Sequence, residues 1–311
     1  MNRTAERLCT GSGIGAILLW STTFAFARSL SEQVGPLTAG AAVYLLGGSV
    51  CLLRLRLSGK AMSGWLALPR LYLFGCGSLF VFYTAAIYLA VGLATDRGQL
   101  LEIALVNYLW PTLTILLSLP LLRKQGGFWL LPGTALALTG VFLVMTQGGH
   151  VSWLSLAEHL RKNPAAYLLA LAAAVSWALY SNLARRWAAP GSGGAVEFFL
   201  LAAGLVLLGL RGLVTEPTGW SLRGVGEVLG LAAATALSYI LWDVAMRKGN
   251  LLVVVALSYF TPLLSTMLSC VYLQVLPGPR LWLGCLLLVG GSFLTWRSMS
   301  EARCRVIETG E

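Results

Sequence analysis

Apolar residues fall in blocks of about 20, each long enough to cross the hydrocarbon of a bilayer as one helix. Ten such spans are predicted, with cores at 12–29, 36–53, 66–91, 98–119, 127–147, 165–184, 196–214, 225–245, 251–275 and 281–297. The joints between them consist of residues that end helices: Gly35-Pro36, Ser58-Gly59, Gly126-Gly127, Gly148-Gly149, Asn163-Pro164, Pro190-Gly191, Gly249-Asn250 and Pro277-Gly278-Pro279. No joint is long enough to hold a soluble domain. The longest, 148–164, mixes Glu158, Arg161 and Lys162 and is predicted to form a short surface helix joining two halves.

The halves repeat. A shift of 151 residues lays Tyr108 on Tyr259, Pro111 on Pro262, Gly133 on Gly284 and Gly140 on Gly291. Shifts of 156 and 157 lay Tyr83 on Tyr239, and Trp20 with Arg28 on Trp177 with Arg185. Because five spans is an odd number, a second copy enters the membrane from the opposite side. The expected fold is therefore an all-α membrane protein of ten transmembrane helices, built as two inverted five-helix repeats around a central cavity. The first repeat is expected at 1–148, a connecting loop at 149–163, the second repeat at 164–300 and a tail at 301–311. Such halves can exchange conformations and open one site to either side in turn. The matched glycines, and Gly11 with Gly15, read as points of close helix packing. Arg3 and Arg7 ahead of an apolar run ending in Ala25-Phe26-Ala27 have the outline of a cleaved signal. The Trp20 and Arg28 spacing marks that run instead as one copy of the repeated span.

Two stretches stand out within the spans: Asn107-Tyr108-Leu109-Trp110-Pro111, and its counterpart Ser258-Tyr259-Phe260-Thr261-Pro262. A proline removes a backbone donor and loosens the helix one turn upstream, where polar side chains can satisfy what is freed. Both stretches are expected to line one central site.

Composition agrees with a membrane location: 57% of the 311 residues are hydrophobic and 11% charged, against about 25% charged in soluble domains. The net charge of +10 is not gathered into a basic stripe that would fit nucleic acid. Its distribution follows topology. With the N-terminus in the cytoplasm, fifteen Lys and Arg fall on the cytoplasmic side and seven outside, which accounts for all 22 and places both termini inside. The six cysteines show neither a disulfide framework nor metal-ligand spacing and are expected to be free thiols. No G-x-x-x-x-G-K-[ST], H-E-x-x-H or G-x-S-x-G occurs, so neither a nucleotide engine nor an intramembrane enzyme is indicated, and no cofactor is called for. His150 and His159 fall in or beside the joining loop, where solvated roles are the default.

Aromatic residues near the middle of their spans are the informative ones, since those at the ends form interfacial belts. Tyr83, Tyr108, Trp177, Tyr239 and Tyr259 are candidates for a substrate pocket, with Asn107 and Ser258 as hydrogen-bonding partners for a polar head. Each of them could equally be a packing residue, and their clustering on repeat-related spans favours the site. Trp177, Tyr180 and Ser181 share one helix face, as do Tyr239, Trp242 and Asp243. Helical spacing puts Tyr108 nearly opposite the face of Gln99, Glu102 and Trp110, so Asn107 and Tyr108 need not face one cavity. An ionisable group inside a span is a functional candidate. Glu102 is read either as a partly solvated carboxylate in a vestibule or as a proton-coupling group. Asp243, with Arg247 one turn later, is read as a local ion pair.

The runs Gln99-Leu100-Leu101-Glu102 and Asn107-Tyr108-Leu109-Trp110-Pro111, with Trp20-Ser21-Thr22 and Ser258-Tyr259-Phe260-Thr261-Pro262, resemble the aromatic amino acid exporters of the drug/metabolite transporter superfamily, EamA-type. The resemblance covers essentially the whole chain. It implies a ten-helix basket in a bacterial inner membrane that exports phenylalanine, tyrosine and tryptophan. Its partners would be a small-molecule amino acid substrate and the lipid bilayer, with a monomer among the states allowed. The alternatives are a broader drug and metabolite exporter of the same superfamily, or a non-transporting scaffold or sensor.

Overall fold

The structure is a computed structural model that describes residues 3–57, 68–146, 153–188, 194–217, 219–273 and 278–309. The expected joints at Ser58-Gly59, Gly148-Gly149 and Pro190-Gly191 lie outside the described residues, as do Pro277, His150 and the side chains of Arg28, Cys270 and Cys304. Helices account for nearly all of what is described. They are α1 (Arg3–Val34), α2 (Pro36–Leu57), a π-helical turn (Leu71–Cys76) running into α3 (Gly77–Gly92), α4 (Arg97–Asn107), α5 (Trp110–Leu122) and α6 (Leu130–Met145). A short connecting helix, α7 (Trp153–Lys162), leads to α8 (Pro164–Trp187), α9 (Val196–Arg211), α10 (Leu222–Lys248), α11 (Leu251–Ser258), α12 (Phe260–Leu273) and α13 (Pro279–Thr309).

Helix starts follow local chemistry. Asp96, Asn163, Ser221 and Asn250 each accept a hydrogen bond from the backbone N–H three residues on, which satisfies a donor that has no partner within the helix. Gly35, at φ 84°, makes the sharp turn into α2 ahead of Pro36. The first turn of α2 is capped from a distance: Glu216 accepts from Leu37 N, Thr38 N and Thr38 Oγ1 at 2.8, 2.8 and 2.7 Å.

Ten spans were expected, and the structure corrects that number. Among the described residues six helical stretches are long and apolar enough to cross a membrane: Pro36–Leu57, Leu71–Gly92, Gln99–Leu122, Pro164–Trp187, Leu222–Lys248 and Pro279–Ser298. The spans expected at 12–29, 127–147, 196–214 and 251–275 are not among them. The third of these holds α9, only 16 residues long, and the second a shorter apolar helix at Leu130–Val144, against roughly 20 needed for a full crossing. The fourth holds a shorter apolar stretch at Leu251–Ser265 among the described residues, and α1 is threaded with Thr10, Ser12, Ser21 and Thr22. With six spans, the five-plus-five count behind two inverted repeats fails, and the helix arrangement does not establish that symmetry. What holds is an all-α, multi-pass membrane protein.

Helices from the two ends of the chain interleave: α1 lies against α10, α2 against α9, α3 and α5 against α8, and α6 against α13. The α6 and α13 pair is closely packed. A Cβ on Gly140 would come within 2.6 Å of Leu288 N and 2.7 Å of Gly284 O, so nothing larger than glycine fits there. Gly11 is different: a Cβ there meets nothing within 4 Å, and it is not a packing point.

Candidate functional site

Two helices are interrupted by missing donors. Pro111 offers no N–H to the carbonyl of Asn107, and Pro262 none to that of Ser258, so α4 stops at Asn107 and α11 at Ser258. The chain restarts as α5 and α12 after turns at Tyr108-Leu109 and at Tyr259, held by the Tyr108 N to Ala104 O (2.9 Å) and Leu109 N to Val106 O (3.1 Å) bonds.

Beside the first break lies a cavity of about 840 Å³. It opens at the end of the molecule where α1 passes into α2, α3 into α4 and α9 into α10, and its mouth carries Glu32, Asp96 and Glu216. Its walls are aromatic. Tyr44, Tyr83, Tyr88 and Tyr108 contribute rings with hydroxyl tips, and Trp20, Trp110, Trp177 and Tyr239 close the inner part. Trp177 is the hub: its ring lies 6.0 Å from Trp20, 4.8 Å from Tyr83, 6.4 Å from Trp110 and 5.5 Å from Tyr239. The Tyr44 and Tyr239 hydroxyls meet at 2.8 Å. These rings come from α1, α2, α3, α5, α8 and α10, so the pocket depends on the packing of the whole bundle.

Of the residues singled out from sequence, Tyr83, Asn107, Tyr108, Trp177 and Tyr239 line this cavity. Asn107 and Tyr108 reach it together because the helix ends between them and the regular angular spacing no longer applies. The buried Oδ1 of Asn107 has no partner among the described residues. Ser258 and Tyr259 are placed elsewhere. Ser258 is fully buried and donates to Val255 O at 2.6 Å, and the Tyr259 hydroxyl meets Thr112 Oγ1 at 2.7 Å inside the helix packing. The second stretch reaches the cavity through Thr261 instead, whose buried Oγ1 is likewise without a partner among the described residues. Tyr44, Tyr88, Trp110 and Thr261 were not singled out. The repeat carried no signal for Tyr44 or Tyr88, but Trp110 and Thr261 stand within the two proline stretches themselves.

The carboxylates belong to other structures. Glu102 is fully buried and does not line the cavity; its Oε2 accepts from the Tyr167 hydroxyl and lies 3.0 Å from His159 Nδ1 on α7. His159 is thus a partner of a buried acid, with Asp96 Oδ2 at 3.7 Å from its other ring nitrogen. Asp243 forms the expected pair with Arg247, Nε to Oδ2 at 2.7 Å, and both side chains are buried.

The model of the EamA-like transporter family matches residues 10–146 and again residues 164–297. The chain belongs to the EamA-like transporter family. This EamA-like transporter is 31% identical over 285 residues to the aromatic amino acid exporter YddG of Escherichia coli K12, covering 91% of this chain and 95% of the relative. It is 31% identical over 301 residues to the YddG of Ancylobacter novellus, covering 94% of this chain and 97% of that protein. A solved crystal structure superposes with a TM-score of 0.77 at 29% identity, over 93% of this chain and 97% of that one. Membership in the family makes the protein a small-molecule transporter of the membrane and not an enzyme.

Proposed function

We propose that this EamA-like transporter exports aromatic amino acids across a bacterial inner membrane by alternating access, with both termini in the cytoplasm. The observation that carries the reading is the cavity: eight aromatic side chains around about 840 Å³, open at one end. Its volume is that of a small-molecule pocket. Ring walls offer stacking to a flat apolar body and cation–π attraction to an ammonium. Tyr83, Tyr108, Trp177 and Tyr239 would hold the aromatic part, and the unpartnered Asn107 amide oxygen would accept from the ammonium group. The names of the YddG relatives agree with this substrate. Glu102 is not among the residues lining the cavity and is joined to α7 and α8 through His159 and Tyr167.

The test is counterflow of labelled phenylalanine into proteoliposomes containing only this protein. Accumulation above empty liposomes is expected, and none at all would reject the assignment. A broader exporter is the second reading, favoured by the carboxylates at the mouth. It predicts that unrelated organic cations compete as strongly as phenylalanine does.

A further inference from the structure

At the end of the molecule away from the cavity mouth, the Asp243 carboxylate is 1% exposed and draws partners from three elements. Arg247 Nε on α10 is 2.7 Å from Oδ2, and the hydroxyls of Tyr72, on the π-helical turn, and Tyr180, on α8, donate to Oδ1 at 2.8 and 3.2 Å. The Tyr72 oxygen also accepts from Ala195 N at 3.4 Å, just ahead of α9, and the Arg247 guanidinium lies over the Tyr72 ring at 5.8 Å. Arg185 adds a further tie, donating from α8 to the carbonyls of Met246 and Gly249 at 3.2 and 2.5 Å.

Why a charged cluster should close this end follows from its burial. Two ions taken out of water gain little net stability, and apolar side chains of the same volume would serve a permanent seal as well or better. An ion pair differs from an apolar seal in one respect: when water enters, both partners are resolvated, so the joint opens without exposing apolar surface. The contrast with Glu158 and Lys162 is instructive. That pair has the same four-residue spacing and a 2.6 Å contact, but its side chains are 58% and 70% exposed, and among the described residues nothing from another helix joins it. The π-helical turn at Leu71–Cys76 is a second mark, since a turn with one residue in excess can be shed or shifted and so lets Tyr72 move relative to α3.

The cluster is also one side chain from the cavity. The Tyr180 ring stacks on cavity-lining Trp177 at 5.0 Å and 22°, while its hydroxyl holds Asp243. We infer that Asp243, Arg247, Tyr72 and Tyr180 form a latch that shuts the cavity at this end, and that Tyr180 is the positioning residue linking the latch to the occupancy of Trp177. The inference rests on the alternating-access reading above, in which release of the latch opens the cavity to the other side of the membrane.

Cys76 is a native reporter, fully buried on the π-helical turn that carries Tyr72. In reconstituted protein whose other five cysteines are replaced by alanine, alkylation by a membrane-impermeant maleimide is measured from each face in turn. The intact latch is expected to protect Cys76. Tyr72→Phe and Tyr180→Phe, which remove a hydroxyl and little volume, are expected to raise the labelling rate about tenfold and from one face only, the order expected for one lost hydrogen bond to a charged group. Phenylalanine is expected to change the rate in the protein with Tyr180 and not in Tyr180→Phe. Equal rates in all three proteins, or a rise from both faces alike, would overturn the latch. Protection lost in the tyrosine variants together with no response to phenylalanine anywhere would keep the latch and reject the substrate, so the two failures are told apart.

Discussion

In both Asn107–Pro111 and Ser258–Pro262 a proline deprives the carbonyl four residues earlier of its donor, and in both the helix stops there. From that common cause the two regions go separate ways. At the first break Asn107, Tyr108 and Trp110 turn toward an aromatic cavity. At the second, Ser258 folds back on Val255 O and Tyr259 reaches across to Thr112, so the polar tips are consumed by the packing that braces the first break. A missing N–H determines where a helix breaks, but the neighbours determine whether the freed residues face a substrate or one another. The first region gives three residues to the cavity wall, whereas the second gives Thr261 and otherwise braces the first.

That division can be broken by mutation. The largest expected effect is at Tyr108→Ala, which removes a ring from the cavity wall: the initial rate of phenylalanine counterflow should fall tenfold or more at unchanged protein content. Pro111→Ala comes next. It restores a donor to the Asn107 carbonyl and lets α4 run into α5, carrying Tyr108 away from the cavity. Transport should drop several-fold, whereas Pro262→Ala, at the supporting break, should cost less. Tyr259→Phe removes one buried hydrogen bond and leaves Thr112 without its partner, which costs about 1 kcal/mol; a lower melting temperature with a near-normal rate is the expected pair of results. The smallest effect belongs to Ser258→Ala, since that hydroxyl only returns to a carbonyl of its own helix. Both rate and melting temperature should stay near wild type.

Local chemistry was legible in the sequence. The stops at Asn107 and Ser258, the start of α8 at Asn163-Pro164, the Asp243 and Arg247 pair and the glycine contacts of α6 with α13 all follow from residues close in the chain or matched by the repeat. What depended on distant parts was not legible. Glu102 read as a vestibule acid or a proton-coupling group because its partners, His159 on the connecting helix and Tyr167 beyond it, are distant in the chain. Tyr88 sits near a span end, where interfacial aromatics are ordinary, whereas Tyr44 falls mid-span without a counterpart in the repeat; only the packed bundle turns both toward the cavity. The span count failed where the apolar helical stretch is shorter than the run read from the sequence: 251–275 reads as one run, and among the described residues the apolar stretch is Leu251–Ser265.

The central claim is that Asn107 and Tyr108 of the first break line the transport site, whereas Ser258 and Tyr259 of the second do not. The most direct measurement compares initial rates of phenylalanine counterflow for Tyr108→Ala and Ser258→Ala, in proteoliposomes loaded with equal amounts of folded protein. A loss of tenfold or more at Tyr108 with an unchanged rate at Ser258 is the result predicted. Equal losses at the two positions, or a loss at Ser258 alone, would contradict the account.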